Sequence, residues 1–118
     1  MMVKKIMVVE DSAMTRSLIV SSLEDMGDFV IIEAANGFQA LRRLPEVTPD
    51  LVITDINMPD INGLEVVRFV KENNNFKHIP VIIVTTESRN VDRERGLALG
   101  ADRYLIKPFE PRELQGFV

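Results

Sequence analysis

The 118 residues carry a formal net charge of −4 and no cysteine, which suits one domain with one core and excludes a disulfide scaffold, a thiolate metal site and a cysteine nucleophile. The acidity is mild and the basic residues are scattered, so this chain alone is not expected to bind nucleic acid. Met1-Met2-Val3-Lys4-Lys5 lacks a signal-peptide core and no apolar run approaches a membrane span, so a soluble, cytoplasmic chain without membrane insertion is expected.

In chain order, Ile6-Met7-Val8-Val9 reads as a first strand ending in Glu10-Asp11. Residues 12–26 follow as a helix with Ala13, Met14, Ser17, Leu18, Val20, Ser21 and Leu23 on or near one face, closed by Gly27. Residues 29–34 form a second strand. Asn36-Gly37 opens a short helix over Phe38, Ala40, Leu41 and Leu44, which Pro45 is expected to stop. Leu51-Val52-Ile53-Thr54-Asp55, fenced by Pro49-Asp50 and Met58-Pro59, reads as a strand buried on both faces with Asp55 at its C-terminal edge.

Gly63–Glu72 brings Leu64, Val67, Phe69 and Val70 to roughly helical spacing, and Asn73-Asn74-Asn75 ends that helix as a polar loop. Residues 79–85 form a fourth apolar strand that finishes in the hydroxyl of Thr85. Residues 91–99 form a weaker helix, because the interior Gly96 costs on the order of 1 kcal/mol relative to alanine. Gly100 caps it, and Tyr104-Leu105-Ile106 makes a fifth strand ending in Lys107-Pro108. Met7, Met14 and Met26 suit core filling, and His78, in a polar loop, suits a surface imidazole.

Strands alternating with helices through short connections predict parallel βαβ units in a single domain, residues 1–118. With right-handed crossovers, and the first helix on the face opposite the middle ones, the fold is a flavodoxin-like α/β sheet of order 2-1-3-4-5. Helices then cover both faces. Strands one and three become neighbours, so Glu10, Asp11 and Asp55 converge at the switch point, with Thr85 and Lys107 on the next two strands. Singly, each of these would be an ordinary surface group; jointly, they define a site.

Three clustered carboxylates repel by a few kcal/mol at intermediate dielectric, so a cation is expected among them. Oxygen-only donors select a hard ion, and a small hydrated site suits Mg²⁺. Such an ion would offset the charge that repels an incoming phosphate, leaving Asp55 as nucleophile and Lys107 and Thr85 to take phosphoryl oxygens. An aspartyl phosphate is the expected chemistry.

On Val9-Glu10-Asp11, Asp55-Ile56-Asn57-Met58-Pro59-Asp60-Ile61-Asn62-Gly63, Thr85 and Lys107-Pro108-Phe109, the chain resembles the receiver domains of two-component response regulators, and among them the CheY-type chemotaxis regulators. The likeness runs from Lys5 to about Phe109. It implies that Asp55 accepts a phosphoryl group from a sensor histidine kinase. It also implies that Glu10, Asp11 and Asp55 hold Mg²⁺ with the backbone carbonyl of Asn57. By the same resemblance, Thr85 is the switch hydroxyl, Tyr104 the switch aromatic, Lys107 the phosphoryl-binding lysine, and the Lys107-Pro108 bond is cis.

The resemblance further implies a kinase contact on the exposed side of the first helix, including Arg16. A downstream target or output domain would read the surface of the fourth helix, fifth strand and fifth helix. Asn57 and Glu87 fall where the family tunes phosphoryl lifetime, and this pair is similar to the chemotaxis type. The chain would promote only its own phosphorylation and dephosphorylation, with no independent substrate. Inward packing of Tyr104 into space vacated by Thr85 is expected to help the switch, because one hydrogen bond to a charged group contributes roughly 1.5 to 3 kcal/mol and inverting a 1:99 equilibrium takes about 5.5.

Two departures stand out: Thr86 replaces a usual small residue, and the resemblance demands a longer fifth helix than the segment up to Val118 supplies. Either the chain is the N-terminal part of a longer regulator or its last helix is short. An FMN carrier would share the strand order but needs a phosphate-binding loop where Glu10-Asp11-Ser12 stands. There is no P-loop, and a haloacid-dehalogenase-type phosphatase would place an acid where Asn57 stands. A receiver-fold interaction module regulated without phosphorylation is the remaining alternative.

Overall fold

The computed structural model describes residues 4–87 and 89–118; Met1, Met2 and Val3 of the N-terminal stretch lie outside them. Five strands and five helices alternate: β1 (Lys5–Val9), α1 (Ala13–Glu24), β2 (Val30–Ala34), α2 (Gly37–Val47), β3 (Leu51–Thr54), α3 (Gly63–Glu72), β4 (Val81–Thr85), α4 (Asn90–Ala98), β5 (Arg103–Ile106) and α5 (Pro111–Phe117). All strand pairings are parallel and the order is β2-β1-β3-β4-β5, as the sequence predicts.

Side-chain alternation along each strand splits the core into two layers. Ile6, Val8, Ile53, Ile82, Val84 and Leu105 pack with Ile19 and Leu23 of α1 and Leu114 of α5. Met7, Val9, Val52, Val81, Ile83 and Tyr104 pack on the other face with Ala40 and Leu44 of α2 and Leu64, Val67 and Val70 of α3. Each fully buried Ile, Leu or Val side chain contributes roughly 1.5–3 kcal/mol, so the apolar strands drive the assembly that sets the positions of their polar ends.

Polar side chains fix where the helices start. Ser12, Asn36 and Asn62 each accept a hydrogen bond from the backbone N–H three residues on, at 3.3, 2.9 and 3.2 Å. The loop from Asp55 to α3 is tighter still: Gly63 N–H donates to the Ile56 carbonyl at 2.8 Å. A Cβ at Gly63 would overlap the Asp55 carbonyl, so no other residue fits there.

Several expectations fail at the helices. In α1 the buried face is Ile19, Ser22 and Leu23, whereas Met14 is 84 % and Leu18 48 % exposed. Apolar residues surround this helix, so periodicity did not select a face. Met7 fills the core, but Met14 and Met26 are exposed. Phe38 points outward at 60 % exposure. Pro45 lies inside α2, which continues to Val47 and ends where Thr48 takes φ 49°. A proline in the last turn forfeits one backbone bond without blocking the residues that follow.

Gly96 also has a packing reason beyond flexibility. A Cβ there would come within 2.7 Å of the Ile83 Cδ1 atom, so glycine lets α4 settle on β4. Among the described residues no helix is long and apolar enough to cross a membrane.

Candidate functional site

The sheet register brings the acidic groups together. Val9 pairs with Thr54, and Asp55 N–H donates to the Val9 carbonyl at 3.0 Å, so Glu10 and Asp55 leave adjacent strands side by side. Carboxylate oxygens of Glu10, Asp11 and Asp55 lie within 4.8 Å of one another. Glu10 and Asp55 are buried and Asp11 is exposed, giving a cluster closed below and open above.

One ammonium reaches into it. Lys107 follows β5, whose register sets Thr85 beside Ile106, and its Nζ lies 2.6 Å from Glu10 Oε1 and 3.4 Å from Asp55 Oδ2. The Lys107-Pro108 peptide is cis. Asp55 Oδ1 accepts the Ile56 N–H at 2.7 Å, which leaves Oδ2 the more loosely held oxygen. Burial pushes the Glu10 carboxyl above the usual range; hydrogen bonds from Lys107 and the Ser12 N–H act against that rise, and the Asp55 charge adds to it.

The group fits a divalent cation on charge and chemistry. Among the described residues, three carboxylates face a single close ammonium, and every donor is an oxygen, the set that hard cations take.

Beside the cluster stands a polar network around Glu87. The buried Thr85 Oγ accepts the Glu87 N–H at 3.4 Å, Asn57 Nδ2 donates to Glu87 Oε1 at 3.0 Å, and the Tyr104 hydroxyl donates to the Glu87 carbonyl at 2.8 Å. Arg89 Nε lies 3.7 Å from Glu87 Oε2 and 2.9 Å from Asp92 Oδ2. The Tyr104 ring is already buried, so no inward movement is needed to fill this layer. Burial, then the charges of Asp92, Glu87 and Asp55, push its phenol up to about 12. Thr86 is exposed.

Arg16, expected on the exposed side of the first helix, is half-buried. It is not a free exposed cation: its Nη1 donates to the Glu10 carbonyl at 2.7 Å and its Nε pairs with Glu33 at 3.0 Å. It therefore braces the end of β1 against β2. Its sequence signal was its place in the first turn of the helix that leaves Glu10-Asp11.

Comparison with known proteins agrees with this arrangement. Residues 6–118 match the family described as the response regulator receiver domain. Chemotaxis protein CheY1 of Helicobacter pylori (strain J99) is 38 % identical over 112 residues, 94 % of this chain and 90 % of that protein. The phosphate regulon transcriptional regulatory protein PhoB of Escherichia coli (strain K12) is 38 % identical over 113 residues, covering 96 % of this chain but 49 % of PhoB. The solved structure of chemotaxis protein CheY4 of Vibrio cholerae superposes with a TM-score of 0.90 at 33 % identity, covering 98 % of this chain and 96 % of that one. The chain belongs to the response regulator receiver family and is a CheY-type receiver domain of a two-component system.

Proposed function

We propose that the domain is a phosphorylation-dependent switch in which Asp55 accepts a phosphoryl group from a sensor histidine kinase. The observation that carries this reading is the convergence of Glu10, Asp11, Asp55 and Lys107 at one sheet edge, with Thr85 on the adjoining strand end. Asp55 Oδ2 forms the new P–O bond while the P–N bond of the donor phosphohistidine breaks, and the imidazole leaves with the electron pair and takes up a proton. Glu10, Asp11 and Asp55, with the Asn57 carbonyl, would hold Mg²⁺, which supplies charge neutralisation and polarises the phosphoryl oxygens. Lys107, held 2.6 Å from Glu10 Oε1 and 3.4 Å from Asp55 Oδ2, moves its ammonium onto a phosphoryl oxygen.

The added group brings about −1.5 to −2 charge and three acceptor oxygens. Thr85 answers by turning its hydroxyl to donate to one of them, which gives up the bond from the Glu87 N–H. Because Glu87 also holds Asn57 and Tyr104, the change passes to the start of α4, and a target or output domain reads the face of α4, β5 and α5. Asn57, two residues past the acceptor, and Glu87, which accepts its side-chain amide N–H, set the phosphoryl lifetime. The domain promotes only its own phosphorylation and dephosphorylation.

Incubation with Mg²⁺ and acetyl phosphate, followed by intact-mass spectrometry, tests this. One labile phosphoryl adduct is expected in the wild type and none in Asp55→Asn. No adduct with two different donors, in protein that binds Mg²⁺, would favour a receiver-fold module regulated by binding alone.

A further inference from the structure

A second concave site lies on the seam between α3 and α4 and shares no residue with the carboxylate cluster. Asn62, Leu64, Glu65 and Arg68 on one side and Arg95 and Leu99 on the other enclose a cleft of about 200 Å³. Its floor is apolar, with Leu64 buried and Leu99 half-buried, and its rim carries two exposed guanidinium groups, one from each helix. Neither Arg68 nor Arg95 forms an ion pair among the described residues, whereas Arg16, Lys71, Arg89 and Lys107 all do. Glu65, one turn from Arg68, is not paired with it and sits in the first turn of α3, where the helix dipole favours its charge. The cleft keeps a net positive charge.

We propose that this cleft docks an acidic segment of a partner protein, with one carboxylate held between Arg68 and Arg95 and a neighbouring apolar side chain covering Leu64 and Leu99. Guanidinium forks suit planar two-point binding of a carboxylate. The volume is below the roughly 300 Å³ at which small-molecule pockets begin, so it takes a side chain rather than a cofactor. One arginine rides on each helix, so the spacing of the pair depends on where α4 sits on β4, the contact that Gly96 permits. Docking itself is independent of phosphoryl transfer; its regulation by α4 rests on the switch proposed above.

Amide spectra of the ¹⁵N-labelled chain test the site, titrated with a capped Gly-Glu-Glu-Leu-Gly peptide, its glutamine counterpart, and inorganic phosphate at matched ionic strength. The glutamate peptide is expected to shift amides of residues 62–68 and 95–99 and the glutamine peptide is not. Arg68→Gln and Arg95→Gln should each weaken binding about tenfold while keeping wild-type spectra, since both side chains are exposed. Absence of shifts, shifts unchanged in both variants, or equal binding of phosphate would each overturn the proposal. Repeating the titration with Mg²⁺ and acetyl phosphate separates the two readings: affinity that changes with the adduct supports control through α4, and unchanged affinity refutes that control while docking stands.

Discussion

Tyr104 is the only tyrosine in a chain without tryptophan, so its phenol can be followed alone. With its pKa raised from 10.0 to about 12, the folded protein holds this proton more tightly than the unfolded chain does. The stability it contributes is therefore complete below about pH 10 and lost as the pH climbs through about 12. Near-ultraviolet titration should show only about a tenth of the phenol ionised in the native protein at about pH 11, with most of the tyrosinate band appearing when urea is added. Asp55 gives the opposite kind of test. Its carboxylate lies among two others with one ammonium, so Asp55→Asn should raise metal-free stability by about 1 kcal/mol in urea denaturation. A loss would mean that the Lys107 contact outweighs the repulsion.

Among the elements, α4 is positioned by what Gly96 lacks. Gly96→Ala gains up to about 1 kcal/mol of helix propensity, but the new methyl meets the fully buried Ile83, and overpacking costs about 1–3 kcal/mol. Net destabilisation of about 1 kcal/mol is expected in the same denaturation assay, because close-packed interiors leave a buried isoleucine little room to turn. From sequence this glycine read only as a soft spot, since propensity is local and the Ile83 contact is not. The strands, their order and their polar ends were legible because apolar runs closed by Asp55, Thr85 or Lys107 have one topology that gathers them. The α1 face was not legible: Met14 and Leu18 are as apolar as Ile19, and only the docked sheet decides between them. Bonds of Glu87 to Asn57 and Tyr104, and of Arg16 to Glu33, join positions 30, 17 and 17 apart in the chain and leave no periodic trace.

For the molecule as a whole, binding of a cation to the carboxylate cluster should appear as thermal stability. Mg²⁺ at a hundred times its dissociation constant adds about 2.7 kcal/mol, so the melting temperature should rise with Mg²⁺, return with chelator, and respond far less in Asp11→Asn. Because burial raises the Glu10 pKa, protons compete with the cation there, and the Mg²⁺ effect should shrink as the solution is acidified. The Lys107–Glu10 contact joins positions 97 apart in the chain, and Lys107 reaches Asp55 across another 52. Contacts that distant close only after strands from the two ends and the middle have met in one sheet. On the ribosome, where N-terminal segments are made first, the three carboxylates are synthesised at least 52 residues before Lys107. A nascent chain thus carries its three carboxylates without the ammonium that faces them, and the cluster is complete only once the fifth strand is in place.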